Sequence, residues 1–529
     1  MKQTIRLAFQ RFTAALLPVV IACSVSGCGW LSPAKEQGVE ANGIDEVTYI
    51  NYIWDESAPA EGEGLAMIQE RFRIRIKSQF VPQTDYMSRL SVLMASGGMP
   101  DVVGVKDLDS NFFNWAKQGA FLPLNDYYDR YPSLQLVPAH IRDQFTVNGN
   151  IYAIPRYYPE QYLFVIMLRQ DWLAKLNLKV PTSYEELKQV ALAFTRDDPD
   201  GNGKNDTYGL VLSQSINPDY HAGAYWDPEA WYHQNSEGQY IPGIIGPGRK
   251  EVIRMMADLY KEGAITKDFA VMNWNQGNQE FYSGRAGIFI GSPRGMSEVF
   301  MGGLLKLNPN AKLVTIEPFT APDGSQGYAS QRGFLGFTAL SSKLSGHPDK
   351  IDKIMDVIDY GRNFIPPSER TPGNPDYDWR LGGLNKGYSY VNKVIHQTKM
   401  REGKIPALYL FDSMMWAPSD EANIYSGNYQ IPLLKQVTGE MERMFVKFKD
   451  KTYMNPHSGI DSETYMAKWT ELTQFLIVEQ TKMITGQRPV SDWDRMVKEW
   501  SERGGADIVA EMNRGIEERR SKGTGIGSK

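Results

Sequence analysis

Between residues 47 and 105 the chain switches back and forth between two hydrophobic periods, and this limits the fold more than any other stretch. Residues 47–53 (VTYINYI) are β-branched and aromatic and predict a strand. Residues 63–72 put Leu65, Ile68 and Phe72 at helical spacing, and residues 74–80 alternate apolar with charged or polar side chains. Residues 85–95 carry Met87, Leu90, Leu93 and Met94 on one helical face; Gly97-Gly98-Met99-Pro100 ends that helix, and residues 101–105 form another strand. A β-α-β-α-β order calls for a largely parallel sheet covered by helices.

Later segments continue the theme. Residues 146–155 read as a hairpin turning at Asn148-Gly149. Residues 162–168 predict a buried strand, and helices begin at Asp171 and after Pro181, where Thr182 or Ser183 caps and Glu185 or Glu186 completes a capping box. A second α/β unit follows, with helices at 250–262 and 276–283 and strands at 286–290 and 334–340. A helix at 349–360 and a largely helical end, including 492–501 and 506–519, complete the reading; the Gly, Ser and Lys residues after Arg520 form a flexible tail, and no internal repeat is visible.

The amino terminus has its own logic. Lys2, Arg6 and Arg11 precede an apolar run from Ala14 to Cys23, broken only by Pro18, which ends at Val25-Ser26-Gly27-Cys28. The run is too short to span a bilayer stably, so it reads as an export signal. Small residues before a cysteine at this spacing resemble the lipobox of a bacterial lipoprotein, which implies cleavage before Cys28 and lipid on its thiol. Residues 28–45 then form a tether, and the expected location is the extracytoplasmic face of the cell membrane.

Composition excludes several classes. The formal charge is −5, and removing the three leader cations leaves the rest near −8, against the basic footprint of a nucleic-acid binder. The only cysteines, Cys23 and Cys28, lie at the leader, so the body has no disulfide and no thiol nucleophile. The six histidines form no HxxxH or HxH pair. No nucleophile elbow, HExxH, Walker A or Gly-rich cofactor loop is present. Tyr and Trp are abundant, at 28 and 12, and such rings suit the C–H faces of sugars.

The sharpest chemical motif is Asp198-Pro-Asp-Gly-Asn-Gly-Lys-Asn-Asp206. Oxygen ligands fall at Asp198, Asp200, Asn202 and Asp206, with the Lys204 carbonyl between them and Gly203 at the sixth position, where an EF-hand-like loop turns. Gly209 stands where a bidentate Glu belongs, so Thr207 or water completes the set. The reading is a structural calcium loop.

The whole layout resembles family 1 extracellular solute-binding lipoproteins of sugar ABC importers, in the subgroup of alginate-oligosaccharide-binding proteins. The resemblance rests on the lipobox, SGGMPD at 96–101, NGNIYAIP at 148–155, LRQDWLAKLNLKVPT at 168–182, the acidic loop, LYKEG at 259–263 and FYSGRAGI at 281–288. In that subgroup calcium occupies a loop like 198–207; Thr207 replaces an acidic residue there. The resemblance implies a two-lobe α/β fold of periplasmic-binding-protein type II, with mixed sheets flanked by helices and a hinge. Lobe 1 takes residues 46–163 and about 335–395, and lobe 2 residues 164–334 and about 396–520, with crossovers near 162–166 and 332–337. It further implies an oligosaccharide ligand, permease subunits as partners, a monomer and no catalysis. Ligand contacts are expected from Trp54, Tyr157, Tyr158, Trp274, Arg332 and Trp416, beyond the carboxyl ends of strands or at the crossovers. Trp226, Trp231 and Trp379, in irregular Pro- or Gly-rich segments, are further candidates. An exported carbohydrate-active enzyme, such as a glycoside hydrolase or polysaccharide lyase, or a peptide-binding lipoprotein, is the alternative.

Overall fold

An interior strand of the first sheet is buried on both faces. In this computed structural model, which describes residues 44–53, 61–161, 164–291, 298–391, 394–396, 414–423, 429–457, 460 and 462–521, that strand is β1 (Asp45–Ile53). Val47, Tyr49, Ile50, Tyr52 and Ile53 are each at most 3% exposed, so both faces must be covered by helices. Helix α1 (Glu63–Phe72) buries Leu65 and Ile68 and leads into β2 (Ile74–Pro82), which pairs parallel to β1 from Asp45↔Ile74 to Ile53↔Pro82. In β2, buried Ile74 and Ile76 alternate with exposed Arg75 and Lys77, the pattern of a charged edge strand. Helix α2 (Gln83–Ala95) buries Tyr86 and Leu90, and β3 (Val102–Val105) joins the other side of β1. The predicted β-α-β-α-β order is therefore present.

Helix α3 (Ser110–Lys117) starts at Asp109, whose carboxylate accepts from Asn111 N at 3.0 Å and Phe112 N at 3.2 Å. The hairpin turns at Asn148 (φ 50°) and Gly149 (φ 82°), both in the left-handed region that a two-residue turn of this kind requires. The hairpin strands are shorter than expected, because β4 (Ile154–Tyr157) belongs to the main sheet instead.

A second, four-stranded sheet begins with β5 (Val165–Arg169). Helix α4 (Tyr184–Arg196) resolves the capping alternatives: Ser183 Oγ accepts from Glu186 N, and Glu186 accepts from Thr182 N and Oγ1. Strand β6 (Tyr208–Leu210), helix α5 (Pro247–Lys261), helix α6 (Trp274–Tyr282), strand β7 (Ala286–Gly291) and strand β8 (Leu313–Thr315) follow. The sheet order is β8-β5-β7-β6, with β5 antiparallel to both β7 and β8 and β6 parallel to β7. In β5, Ile166 and Leu168 face one core while Val165 and Met167 face another, so this sheet too is sandwiched. Strand β9 (Phe334–Leu340) then returns to the first sheet, completing the order β2-β1-β3-β9-β4.

Helix α7 (Pro348–Arg362) packs Ile351, Ile354 and Ile358 on the first core, and Trp379, Trp416 and Ala417 still belong to that core. Helix α8 (Pro432–Phe448) covers one face of the second sheet; α9 (Glu463–Ile484), α10 (Trp493–Trp500) and α11 (Ala506–Ser521) build the core on its other face. The helical end expected from the sequence is thus part of the second core. The leader, Cys28, the tether as far as residue 43, Trp54 and the tail after 521 lie outside the described residues.

Candidate functional site

Pairing geometry defines one end of each sheet. Phe337 of β9 pairs with Val105 at the carboxyl end of β3, and Phe334 with Tyr157 at the carboxyl end of β4. In the second sheet, Val165 at the start of β5 pairs with Gly291 at the carboxyl end of β7, and β6 runs parallel to β7. Segments 158–161 and 316–333 lie at these ends, next to the strands that change sheet. In open α/β architectures, side chains able to contact a ligand collect at such ends.

The passing segments are fastened to each other. Gln331 N donates to Glu160 O at 2.6 Å, and Tyr158 N to Gly333 O at 3.3 Å. Asp420 accepts from Tyr157 OH at 2.7 Å and Gln161 N at 2.9 Å. Buried Asn455 accepts from Trp231 N at 2.9 Å and donates through Nδ2 to Ser330 O at 3.2 Å, while its N–H donates to Ser330 Oγ at 3.3 Å. Tyr453 OH donates to Trp231 O at 2.6 Å. This network sets three neighbours in place: Glu229 before Trp231, Arg332 after Ser330, and His457 after Asn455.

These residues share one electrostatic environment with Asp107, which follows β3, and with Tyr465 of α9. Arg332 and Glu229 reach solvent, yet desolvation is the largest influence on each. Exposure with desolvation describes a recess open to water. Desolvation opposes the Arg332 charge, but Tyr465, Glu229 and Asp107 outweigh it and hold the guanidinium above its ordinary range. Burial, then Asp227, pushes the Glu229 carboxyl up, against the pull of Arg332 and His221. Burial, then Arg332 and Arg519, drives His457 down to about 3, so its ring is neutral. Burial lifts Tyr465 to about 12. Among the described residues, neither the Glu229 carboxylate nor the Arg332 guanidinium has a hydrogen-bond or ion-pair partner, and His457 Nδ1 is buried without one. His457 stacks on Trp231 at 5.1 Å, and Tyr465 on Trp469 at 4.7 Å.

The expected contact residues divide. Arg332 lies in this recess. Tyr158 is half-buried beside Gly333, and Trp274, 42% exposed, is the first residue of α6, where Asn273 and Gln276 form a capping box. Tyr157 is 5% exposed with its hydroxyl on Asp420. Trp416, 3% exposed, is a core residue: Tyr157 packs edge-on against it and the Arg362 guanidinium covers its ring at 4.7 Å. Trp226, Trp231 and Trp379 are equally buried, because irregular segments in this chain fill core space. Glu229, His457, Tyr465 and Asp107 escaped the sequence reading; only Asp107, two residues after the predicted strand at 101–105, carried a local signal.

The acidic loop is a surface turn. Asp198 accepts from Gly201 N, Asn202 N and Gly203 N, each at 3.0 Å. Gly201 and Gly203 have φ of 78° and 81°, so the glycine at the sixth position turns as an EF-hand-like loop requires. Asn202 Nδ2 sits between Asp200 and Asp206, donating to both at 2.9 Å. Lys204 N donates to Asn202 Oδ1 at 2.8 Å. Asp200 is raised by desolvation and by Asp198, the signature of crowded negative charge. An amide donor between two carboxylates occupies the place of a cation, and a flip of that amide would turn its oxygen inward. The donor set therefore fits calcium with one correction. Thr207 is buried and its hydroxyl donates to Phe194 O at 2.6 Å, so it faces the body and not the loop. Among the described residues, no group of three or more acidic, His or Cys side chains stands in a metal-holding arrangement. No described helix is long and apolar enough to cross a membrane.

Comparison with known proteins gives a consistent picture. The family model described as "Bacterial extracellular solute-binding protein" matches residues 56–329. Lipoprotein LipO of Bacillus subtilis (strain 168) is 24% identical over 93% of this chain and 96% of its own length. The polygalacturonan/rhamnogalacturonan-binding protein YtcQ of the same strain is 26% identical over 95% and 98%. Among solved structures, alginate-binding protein AlgQ2 without calcium ion superposes with a TM-score of 0.62 at 20% identity, covering 89% of this chain and 98% of that one. An EF-hand mutant of the S. pneumoniae ABC-transporter substrate-binding protein FusA, in complex with fructo-nystose, gives 0.60 at 17% identity over 90% and 100%. The fold is the two-lobe solute-binding architecture of these neighbours.

The neutral His457 ring has a measurable consequence. Unfolded, the imidazole protonates near 6.5; folded, it does so only near 3. The unfolded chain binds the extra proton in that window, so stability is full above 6.5 and falls as pH drops toward 3. Thermal melting across this range should show a shallower loss in His457→Gln than in the parent chain. Parallel curves would show that the fold does not hold this ring neutral.

Proposed function

The chain belongs to the bacterial extracellular solute-binding protein family, and from that premise we propose that it is the lipid-anchored binding subunit of an ABC importer, capturing an oligosaccharide in the recess between its sheets and delivering it to a permease. The family and its relatives are solute-binding proteins rather than enzymes. The observation that carries the reading is Glu229 with Arg332: opposite charges, both exposed, each felt by the other, and with side chains that have no hydrogen-bond or ion-pair partner among the described residues. Such unspent polar groups in a preformed recess beside aromatic rings are what an oligosaccharide site needs. Tyr158 and Trp274 supply further contact surface. The segments 158–161 and 316–333 act as parts of the hinge between lobe 1, built on the first sheet, and lobe 2, built on the second, and the protein works as a monomer.

In the proposed membrane-bound form, Cys28 carries lipid on the extracytoplasmic face. LipO, a lipoprotein by name, supports this. Cys28→Ala should move the chain from the membrane fraction to the soluble fraction; unchanged membrane association would count against the anchor.

Calcium is proposed to hold the 198–206 turn through Asp198, Asp200, Asn202, the Lys204 carbonyl and Asp206, relieving the crowding that raises Asp200. Chelation should lower the melting temperature, and Asp200→Ala should remove that difference. A chain indifferent to chelator would refute the site.

The main test is binding without turnover. Oligosaccharide at about 100 times Kd should add about 2.7 kcal/mol to the unfolding free energy, and the sugar should be recovered intact. A degraded sugar would identify an enzyme instead, and stabilisation by peptides alone would identify a peptide carrier.

A further inference from the structure

We propose that Lys175 sets the calcium level at which the 198–206 turn loads, by holding an unpaired positive charge against the first residue of the turn. This rests on the calcium reading above and adds its regulation.

The lysine is fixed from behind. It ends a short helix, Gln170–Lys175, whose Trp172 is buried and meets the ring of Phe194 in α4 edge-on at 5.3 Å. Phe194 O in turn accepts the Thr207 hydroxyl at 2.6 Å, so the short helix, α4 and the far end of the turn form one packed unit. From that unit Lys175 Nζ reaches forward and donates to Asp198 O at 2.9 Å. A Cβ added at Gly201 would lie 2.6 Å from Nζ, so the ammonium rests directly on the turn at that glycine.

The positive charge is not neutralised there. Asp198 offers Lys175 its carbonyl, while its carboxylate faces Gly201 N, Asn202 N and Gly203 N. Among the described residues, no carboxylate pairs with Nζ. Three further charged side chains flank or belong to the turn. Arg196 is paired with Glu262, and Asp197 and Lys204 are exposed to solvent. Lys175 differs from them in having its charged atom fixed on the first ligand residue.

A lysine in this place has two opposite effects. Gripping Asp198 shapes the turn and favours a cation, whereas its charge repels one. The hydrogen bonds decide between them. Asp198 stands in the left-handed region at φ 45°, held there by its own carboxylate through three N–H groups of the turn. That shape does not need the lysine, and the Asp198 carbonyl is exposed enough to turn to water without it. What Lys175 adds is therefore charge, and calcium loads against it. Because Lys175 is exposed, salt screens the effect.

Isothermal titration of calcium chloride into the purified, metal-free chain, at low and at high salt, tests this. Lys175→Met keeps the stem and removes the charge. It should bind calcium roughly three- to tenfold more tightly than the parent chain at low salt, and the gap should narrow at high salt. Lys175→Arg, which keeps the charge, should stay within about twofold of the parent. Asp200→Ala should abolish the heat in parent and variant alike, assigning it to the turn. Melting without metal confirms that each variant is folded, and the rise on adding calcium should be larger in Lys175→Met than in the parent. Equal or weaker calcium binding by Lys175→Met would overturn the role given to Lys175 and leave the calcium turn standing. No binding by either chain, or heat that survives Asp200→Ala, would overturn the calcium reading itself.

Discussion

One buried amide holds the candidate site together. Asn455 has a donor pair and an acceptor on its side chain, and both ends are used: Trp231 N–H gives to it and Ser330 carbonyl receives from it. Those partners lie on segments far apart in sequence, and each carries a recess residue within two positions. A buried amide must satisfy its groups or incur a desolvation cost, so the three segments keep one relative arrangement. Asp420 performs the same service on the far side, binding Tyr157 and Gln161. The charged side chains of the recess therefore rest on a rigid polar frame and need no contact with one another.

That frame explains how Glu229 and Arg332 stay open to water while feeling a protein-like dielectric. Their backbones are fixed by groups that do not include their own side chains, which leaves carboxylate and guanidinium unspent. Pairing them directly would have satisfied both and closed the site. The neutral state of His457 belongs to the same logic: a protonated ring would face Arg332 and Arg519 at once.

What the sequence could say depended on how local the cause was. The β1-to-β3 alternation, the Asn148-Gly149 turn and the glycine turn of the acidic loop were legible because each is fixed by neighbours a few residues away. Capping was legible as a choice between Ser183 and Thr182, and only the three-dimensional positions of Glu186 and Thr182 settled it. The aromatics misled. Trp226, Trp231, Trp379 and Trp416 sit in Pro- and Gly-rich stretches and were read as candidate ligand contacts; irregular backbone here is wrapped inward around polar anchors, so those rings became core. Thr207 looked like an oxygen ligand by spacing, but the backbone turns its hydroxyl to Phe194 O. Glu229 and His457 carry no local mark at all, since tertiary hydrogen bonds alone bring them to Arg332.

The placement of β1 has a mechanical side. The chain enters the first sheet at Asp45 and goes directly into an interior strand, which is paired along all nine residues to β2 and also to β3. A pull on the chain ahead of residue 45 runs along that strand and loads its ladder in shear, so many hydrogen bonds resist together instead of opening one by one. The second sheet carries none of this load directly. A protein moored by its amino end would in this way take tension along a strand hydrogen-bonded on both edges.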